Sequence, residues 1–310
     1  MVPKIVLITG ATGTQGGAVA RILLQHPDQY IVRCLTRNPE SDKAQALETL
    51  GAVPVRGDLT VPSSLSVPLK GAWGVFGVTD FYDTNILDDP LSEEQQGRNL
   101  AKAAAEAGVE CFLWSTLPSS SEISGGQFIT QLYEGKHNVD AYIRQIGLPG
   151  VFIFTGNFYE NMITRKYVSY DPHTDKITMR RPILKPDASI TTLYVEKDLG
   201  AVCKAVWDQW DDKKNGLDGK YLLAAGAHET PRYMAQVLEK VSGKKVEYST
   251  LPTTGIPERD IMLNLYNAVG MHPNRTLPTE EIQALGLNLH TVDSYYRQRL
   301  LPHLGLPSVN

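Results

Sequence analysis

The 310-residue sequence predicts an α/β fold built on a doubly wound parallel sheet, followed by a smaller C-terminal α+β region; three observations predict it. Short β-branched apolar runs alternate with longer helical patterns from residue 1 to about 155, the rhythm of βαβ units whose parallel strands are buried on both faces. The first run passes straight into a glycine-rich loop that opens an amphipathic helix. After an interruption, one helical pattern and one strand pattern near 195–225 repeat the rhythm, so that segment is expected to return to the sheet.

Taken in order, strands are predicted over residues 4–9, 30–36, 52–56, 74–78, 111–115 and 151–155. Val19, Ile22 and Leu23 give the i, i+3, i+4 stripe of the first helix, and the alanine-rich stretch 93–107 carries Leu100 and Ala104 on one side. Right-handed helical crossovers then make the sheet doubly wound. Residues 156–190 hold aromatic and polar clusters with Pro172, Pro182 and Pro186 and no clean repeat, so they read as excursions over the top of the sheet. Asp198 is expected to open a helix with Val202, Ala205, Val206 and Trp210 on its face, ended by a turn at 213–219 before a strand at 220–224. Residues 230–310 read as helices around one short strand, 246–250. The expected boundaries are a first domain over 1–155, to which 195–225 returns, and a second made of 156–194 and 226–310.

Composition excludes several classes of function. With 42% hydrophobic and 21% charged residues the chain is an ordinary globular one, not a disordered, collagen-like or disulfide-stapled one. A formal charge of -4 argues against a nucleic-acid or membrane partner. Cys34, Cys111 and Cys203 lie far apart without a CxxC pair, which suggests neither a disulfide framework nor a thiolate zinc site and makes a reducing cytoplasm the expected compartment. The N-terminal apolar run is too short for a signal peptide, and no stretch approaches the roughly 20 apolar residues of a membrane span. Scattered histidines without HExxH, and the lack of GxSxG, argue against metal or serine-hydrolase chemistry.

The chemistry starts at the glycine loop. Gly10, Gly13 and Gly16 form GxxGxxG between the first strand and the first helix: Gly10 for the tight turn, Gly13 for close backbone approach to a pyrophosphate, Gly16 for close helix-strand packing. The diphosphate would sit on the unsatisfied N–H groups and positive dipole end of that helix, which makes the fold a dinucleotide-binding Rossmann domain. About twenty residues on, where sites selective for NAD place a carboxylate, the chain has Thr36-Arg37-Asn38. Arg37 therefore points to NADP(H), since a guanidinium can hold a 2'-phosphate through two charge-assisted hydrogen bonds; the alternative is a solvated surface arginine. Asp58 either meets the adenine or is a turn residue.

With TGATGTQGG, Arg37, Gly57-Asp58-Leu59, the run Val75 to Asp80 and the later Gly135-Lys136, the sequence resembles the NmrA-like family of atypical short-chain dehydrogenases, over most of its length and most specifically in its first 160 residues. The resemblance implies an NADP(H)-binding Rossmann domain and a smaller C-terminal substrate domain. It also implies one of two functional classes: reductases, some acting on plant phenolics and fungal metabolites, or redox-sensing regulators that bind dinucleotide without known turnover. By position, it implies that Gly10, Thr12, Gly13, Thr14, Gln15 and Gly16 line the pyrophosphate, that Arg37 meets the 2'-phosphate and that Asp58 and Leu59 lie near adenine. Gly77, Val78 and Thr79 would pass beneath the riboses, Ser115 and Thr116 would face the nicotinamide, and Asn157 and Phe158 would close over it. Lys136 matches the family's lysine, expected to hold the nicotinamide ribose and, in the reductases, to help protonate or polarise substrate.

Ordinary short-chain dehydrogenases carry Tyr-x-x-x-Lys, which places both side chains on one helix face. Here Tyr133 and Lys136 are three apart with Gly135 between them, so Tyr133 is expected to be structural or a pocket wall, and Gly135 to weaken the helix. Lys136 is the catalytic candidate, or else a solvated helix lysine. The missing tyrosine argues against ordinary carbonyl reduction, whereas positioning and electrostatics alone would still allow hydride transfer to an activated acceptor such as an iminium or conjugated enone. The aromatic run from Phe152 to Tyr170, which includes Phe158 and Tyr159, would line the substrate pocket, with Tyr133 as a further wall, or belong to the core. The resulting expectation is an NADP(H)-dependent oxidoreductase of secondary metabolism acting on a small hydrophobic, aromatic or alkaloid-like metabolite. The alternative is a non-enzymatic NADP(H) sensor that binds a partner protein.

Overall fold

The computed structural model describes residues 2–83, 89 and 91–309. Among these the strands are, in chain order, β1 (Lys4–Ile8), β2 (Tyr30–Thr36), β3 (Val53–Arg56), β4 (Gly74–Gly77), β5 (Cys111–Thr116), β6 (Gly150–Thr155), β7 (Asn157–Phe158), β8 (Val168–Asp171), β9 (Lys176–Pro182), β10 (Ile190–Leu193), β11 (Tyr221–Ala224), β12 (Ala227–Glu229) and β13 (Lys245–Leu251). The chain divides into two compact units: residues 1–118, 131–154 and 195–223 make the first, and 119–130, 155–194 and 224–310 the second.

The first unit is a seven-stranded sheet in the order β11-β6-β5-β4-β1-β2-β3. Its pairs β1–β2, β2–β3, β1–β4, β4–β5 and β5–β6 are parallel, as their near-continuous apolar runs demand. One face packs Leu7, Val75, Phe112, Trp114 and Phe152 against Leu100, Ala101 and Ala104 of the helix Ser92–Glu106 and Val139 and Ile143 of the helix Gln131–Gln145. Full burial of each large apolar side chain there is worth about 1.5–3 kcal/mol. The helices Thr14–Leu23 and Val195–Leu217 pack on one another in the same unit. The register aligns Ile8 with Cys34 and with Phe76, and Gly77 with Trp114, so β1, β2, β4 and β5 release the chain at one edge of the sheet. The strand order reverses at β1, and a crevice at such a reversal is where doubly wound sheets bind ligands.

The helix Val195–Leu217 corrects two expected boundaries. It starts before Asp198 and runs on to Leu217, which shortens the turn expected at 213–219 to its last two residues, because buried Leu217 extends the stripe of Val202, Val206 and Trp210 and no proline interrupts it.

The second unit holds two three-stranded sheets, β12-β10-β7 and β13-β9-β8. Residues 156–190 are therefore not irregular. Prolines masked an antiparallel β8–β9 hairpin whose turn is organised by Asp171, which accepts from His173 N (2.9 Å) and Thr174 Oγ1 (2.9 Å). The helix Ser120–Ile123 also belongs to this unit, where Thr130 Oγ1 bonds the Glu258 carboxylate at 2.7 Å. No helix among the described residues is long and apolar enough to cross a membrane.

Candidate functional site

The site is built at the edge where β1, β2, β4 and β5 end. Gly10 has φ 56°, the left-handed region that a side chain disfavours. A Cβ on Gly16 would lie 2.3 Å from the Thr9 carbonyl oxygen, so only glycine lets the helix start this close to β1. Gly13 caps the helix Thr14–Leu23 with no side-chain hydrogen bond, and no acidic residue stands in the first turn. The first N–H groups and the positive end of the helix dipole are left for an external anion, with Gly13 and Thr14 exposed and Thr12 and Gln15 half-buried beside them. These residues fit a dinucleotide's diphosphate.

Around that loop the framework is rigid. Thr9 Oγ1 donates to Val78 O and accepts from Val78 N, both at 2.8 Å, which ties the end of β1 to the end of β4. Ser115 Oγ donates to Gln15 Oε1 at 2.7 Å, joining the end of β5 to the glycine loop. Thr116 is fully buried, and Leu59 packs against the core while its carbonyl accepts from Asn99 Nδ2. Asp58 organises a turn, its Oδ1 accepting from Thr60 N and Thr60 Oγ1 at 2.9 and 2.7 Å. Arg37 stands just past β2 with its side chain 56% exposed and ion-paired to Asp83 at 2.7 Å.

Lys136 is no solvated helix lysine. It is buried on a helix that runs unbroken through Gly135. Its ammonium donates to Thr79 O (3.1 Å), to Thr79 Oγ1 (2.8 Å) and to Glu93 Oε1, and Thr79 Oγ1 in turn donates to Glu93 Oε1 (2.8 Å). Those three acceptors use all three N–H donors of the ammonium. Glu93, fully buried, is the residue that sequence reasoning missed. A signal existed: the buried stripe Gln96, Gly97, Leu100, Ala101 and Ala104, carried back one turn, lands on Glu93.

The aromatic candidates fare differently. Tyr133 is wholly buried. Tyr159 is 1% exposed, stacks on Tyr295 and gives its hydroxyl to Glu229 Oε2 at 2.9 Å. Both are packed in the core. Phe158 and Asn157 form β7, pair with β10 in the second unit and are half-buried.

One turn beyond Lys136 lies Asp140, also missed. Burial pushes its carboxyl up to about 7, against hydrogen bonds from Thr116 and Tyr221 and the Arg144 charge. Tyr221 OH donates to Asp140 Oδ2 at 3.0 Å, and His137 Nδ1 lies 3.8 Å away. Because the folded pKa exceeds the unfolded value of 3.8, the native state holds the proton longer, and stability falls as pH rises through the window between them. Asp140→Asn should remove about 2–3 kcal/mol of stability loss between pH ~5 and pH ~8. Urea unfolding of both proteins at the two pH values measures this, and equal slopes would refute it.

Comparison with known proteins adds the following. The sequence profile of the NmrA-like family matches residues 3–277. An NmrA-like family domain-containing oxidoreductase from Aspergillus japonicus, himF, is 31% identical over 214 residues, covering 66% of this chain and 64% of that one. The chain thus spans just under two thirds of that relative's length. A second, lnbB from Aspergillus flavus, is 27% identical over 314 residues, with coverage of 94% and 91%. Among solved structures, NmrA, a negative transcriptional regulator in complex with NADP, superposes with a TM-score of 0.79 at 19% identity, covering 98% of each chain. The NADPH-dependent quinone oxidoreductase QOR2 from Escherichia coli gives a TM-score of 0.71 at 21% identity, covering 97% of this chain and 99% of that one.

Proposed function

Because the chain belongs to the NmrA-like family, we propose that it is an NADP(H)-dependent oxidoreductase that reduces an activated, small hydrophobic acceptor, such as an iminium or conjugated enone on an aromatic or alkaloid-like metabolite. The observation that carries this reading is the uncapped, acid-free helix start behind Gly10 and Gly16, with Arg37 at the end of β2. NADP(H), when bound, supplies the hydride.

The residues divide the remaining work. Gly10, Thr12, Gly13, Thr14, Gln15 and Gly16 hold the diphosphate through backbone N–H groups. Gly77, Val78 and Thr79, with Ser115 and Thr116, line the path of the riboses and nicotinamide. Arg37 takes the 2'-phosphate. Lys136 acts as a positioning residue: with its three N–H groups committed to Glu93 and Thr79, it fixes the end of β4 instead of giving up a proton. Tyr133 is buried too, so neither residue of the departed Tyr-Lys pair offers a proton. That favours acceptors whose reduction needs little acid catalysis. The oxidoreductase names of himF and lnbB support the enzymatic reading.

The commitment of Lys136 also favours a second reading, in which the chain binds dinucleotide as a regulator, as the NADP complex of NmrA suggests, and passes its state to a partner protein. NADPH oxidation followed with a quinone, an enone and a cyclic iminium separates the two. Turnover of at least one acceptor is expected, and tight NADPH binding with no oxidation by any of them would replace the enzyme with the regulator.

Asp83 sets a further expectation. Its ion pair with Arg37 must loosen for a 2'-phosphate to take the guanidinium, and exposed pairs of this kind are worth about 0.2–1 kcal/mol. Asp83→Asn should therefore tighten NADPH severalfold and leave NADH unchanged in a fluorescence titration. Equal effects on both would separate Asp83 from the phosphate.

A further inference from the structure

Two arginines of the second unit stand where its fold calls for apolar residues. On β9 the buried face runs Ile177, Met179, Arg181, and Arg181 is 3% exposed. On the helix Pro257–Ala268 the buried stripe runs Arg259, Met262, Leu263, Tyr266, and Arg259 is 9% exposed. Both guanidinium groups face one ring, 5.0 and 5.9 Å from the centre of Tyr167.

Neither forms an ion pair among the described residues. The adjacent carboxylate, Asp260, accepts from Thr254 N at 2.7 Å in the turn before the helix and lies within electrostatic reach of Arg259 alone, and Glu258 is bonded to Thr130, so Arg181 is the cation with no carboxylate beside it. Each guanidinium carries five N–H donors. The protein acceptors they meet are Asn157 Oδ1, 3.4 Å from Arg181 Nη2, and the Tyr167 hydroxyl, which accepts from Arg259 Nη2. Arg181 Nε is buried with no hydrogen-bond partner. Burial, joined by the Arg259 charge, pulls the Arg181 pKa below its ordinary value.

An arginine cannot escape this situation by losing its proton, and a buried charge without a counterion is strongly unfavourable. The Tyr167 ring compensates part of the cost for one cation, but the two cations also repel each other. We propose that Arg181 and Arg259 form an anion site that takes an organic carboxylate. The planar guanidinium fork matches a carboxylate through paired N–H···O bonds, and the Tyr167 ring, which both guanidinium groups face, offers an aromatic surface that suits an organic body better than a hydrated inorganic ion. Taking that carboxylate to be the substrate's own rests on the proposed function; the site itself does not.

Calorimetric titration of the 310-residue chain with benzoate and with its neutral isostere benzamide tests the site without any cofactor. Wild type should bind benzoate at least tenfold more tightly than benzamide. Arg181→Met should lose that preference while keeping its NADPH affinity, and Arg259→Lys, which keeps the charge but not the fork, should lose part of it. Benzoate bound no more tightly than benzamide by wild type overturns the proposal, as does an Arg181→Met variant that keeps the preference. Inorganic phosphate competing more strongly than benzoate overturns the organic ligand class. If Arg181→Met does not fold, wild type and Arg259→Lys still decide. Benzoate preference without NADPH binding would keep this site and end the proposed function; NADPH binding without the preference would do the reverse.

Discussion

Lys136→Met is expected to destabilise the protein by about 3–5 kcal/mol, because it leaves the Glu93 carboxylate buried without its cation. Thr79 would still donate to Glu93 Oε1, but Glu93 Oε2 already has no hydrogen-bond partner, so nothing local replaces the ammonium. Removing both charges is a different matter. A Lys136→Met, Glu93→Leu double variant buries apolar groups in place of an ion pair, and such exchanges are often near neutral. The two single costs should therefore exceed the cost of the double by ~2 kcal/mol or more, the mark of coupled neighbours. Urea unfolding of the four proteins measures the cycle, and additive costs would show that the pair does not act as a unit. Activity read alongside distinguishes roles: a positioning lysine loses turnover in step with the displacement of Thr79, and the double variant, if it restores the β4 end, should regain some of it.

Arg37→Asp is expected to reverse the preference between the two dinucleotides. Each charge-assisted hydrogen bond to the 2'-phosphate is worth about 1.5–3 kcal/mol, and about 1.4 kcal/mol is tenfold in affinity, so wild type should prefer NADPH by ten- to a hundredfold or more. The variant sets a second carboxylate beside Asp83, which repels a 2'-phosphate and offers an acceptor to a 2'-hydroxyl. Titration with NADPH and NADH gives the ratio directly. An unchanged ratio would return Arg37 to the role of a solvated surface residue.

The two Arg37 and Lys136 cases show how differently a site is written in a chain. The place of Arg37 was legible because it depends on position along one strand: the end of β2 follows the glycine loop at a spacing that the sheet enforces. Lys136 was legible as a residue of interest, yet its surroundings were not, because Glu93 lies 43 positions away on another helix. The same distance hid the second unit's arginines. Arg181 and Arg259 look like surface residues in a linear reading, and only the period of β9 and of the helix Pro257–Ala268 reveals that each occupies an inward position. The β8–β9 hairpin was missed for a local reason, since Pro172 and Pro182 bracket a strand pattern and read as loop.

What the sequence determined by itself was the doubly wound sheet and the glycine loop, because hydrophobic periodicity and the steric freedom of glycine act between residues close in the chain and do not wait for the rest of the fold. What only the tertiary structure decided was the state of the charged groups: Lys136 used up by Glu93 and Thr79, Asp140 pushed towards neutrality, Arg37 held by Asp83, and Arg181 buried with its Nε unpartnered. The physical reason is that the behaviour of a charge is set by its burial and by the charges within a few ångströms of it, and folding brings those together from any distance along the chain.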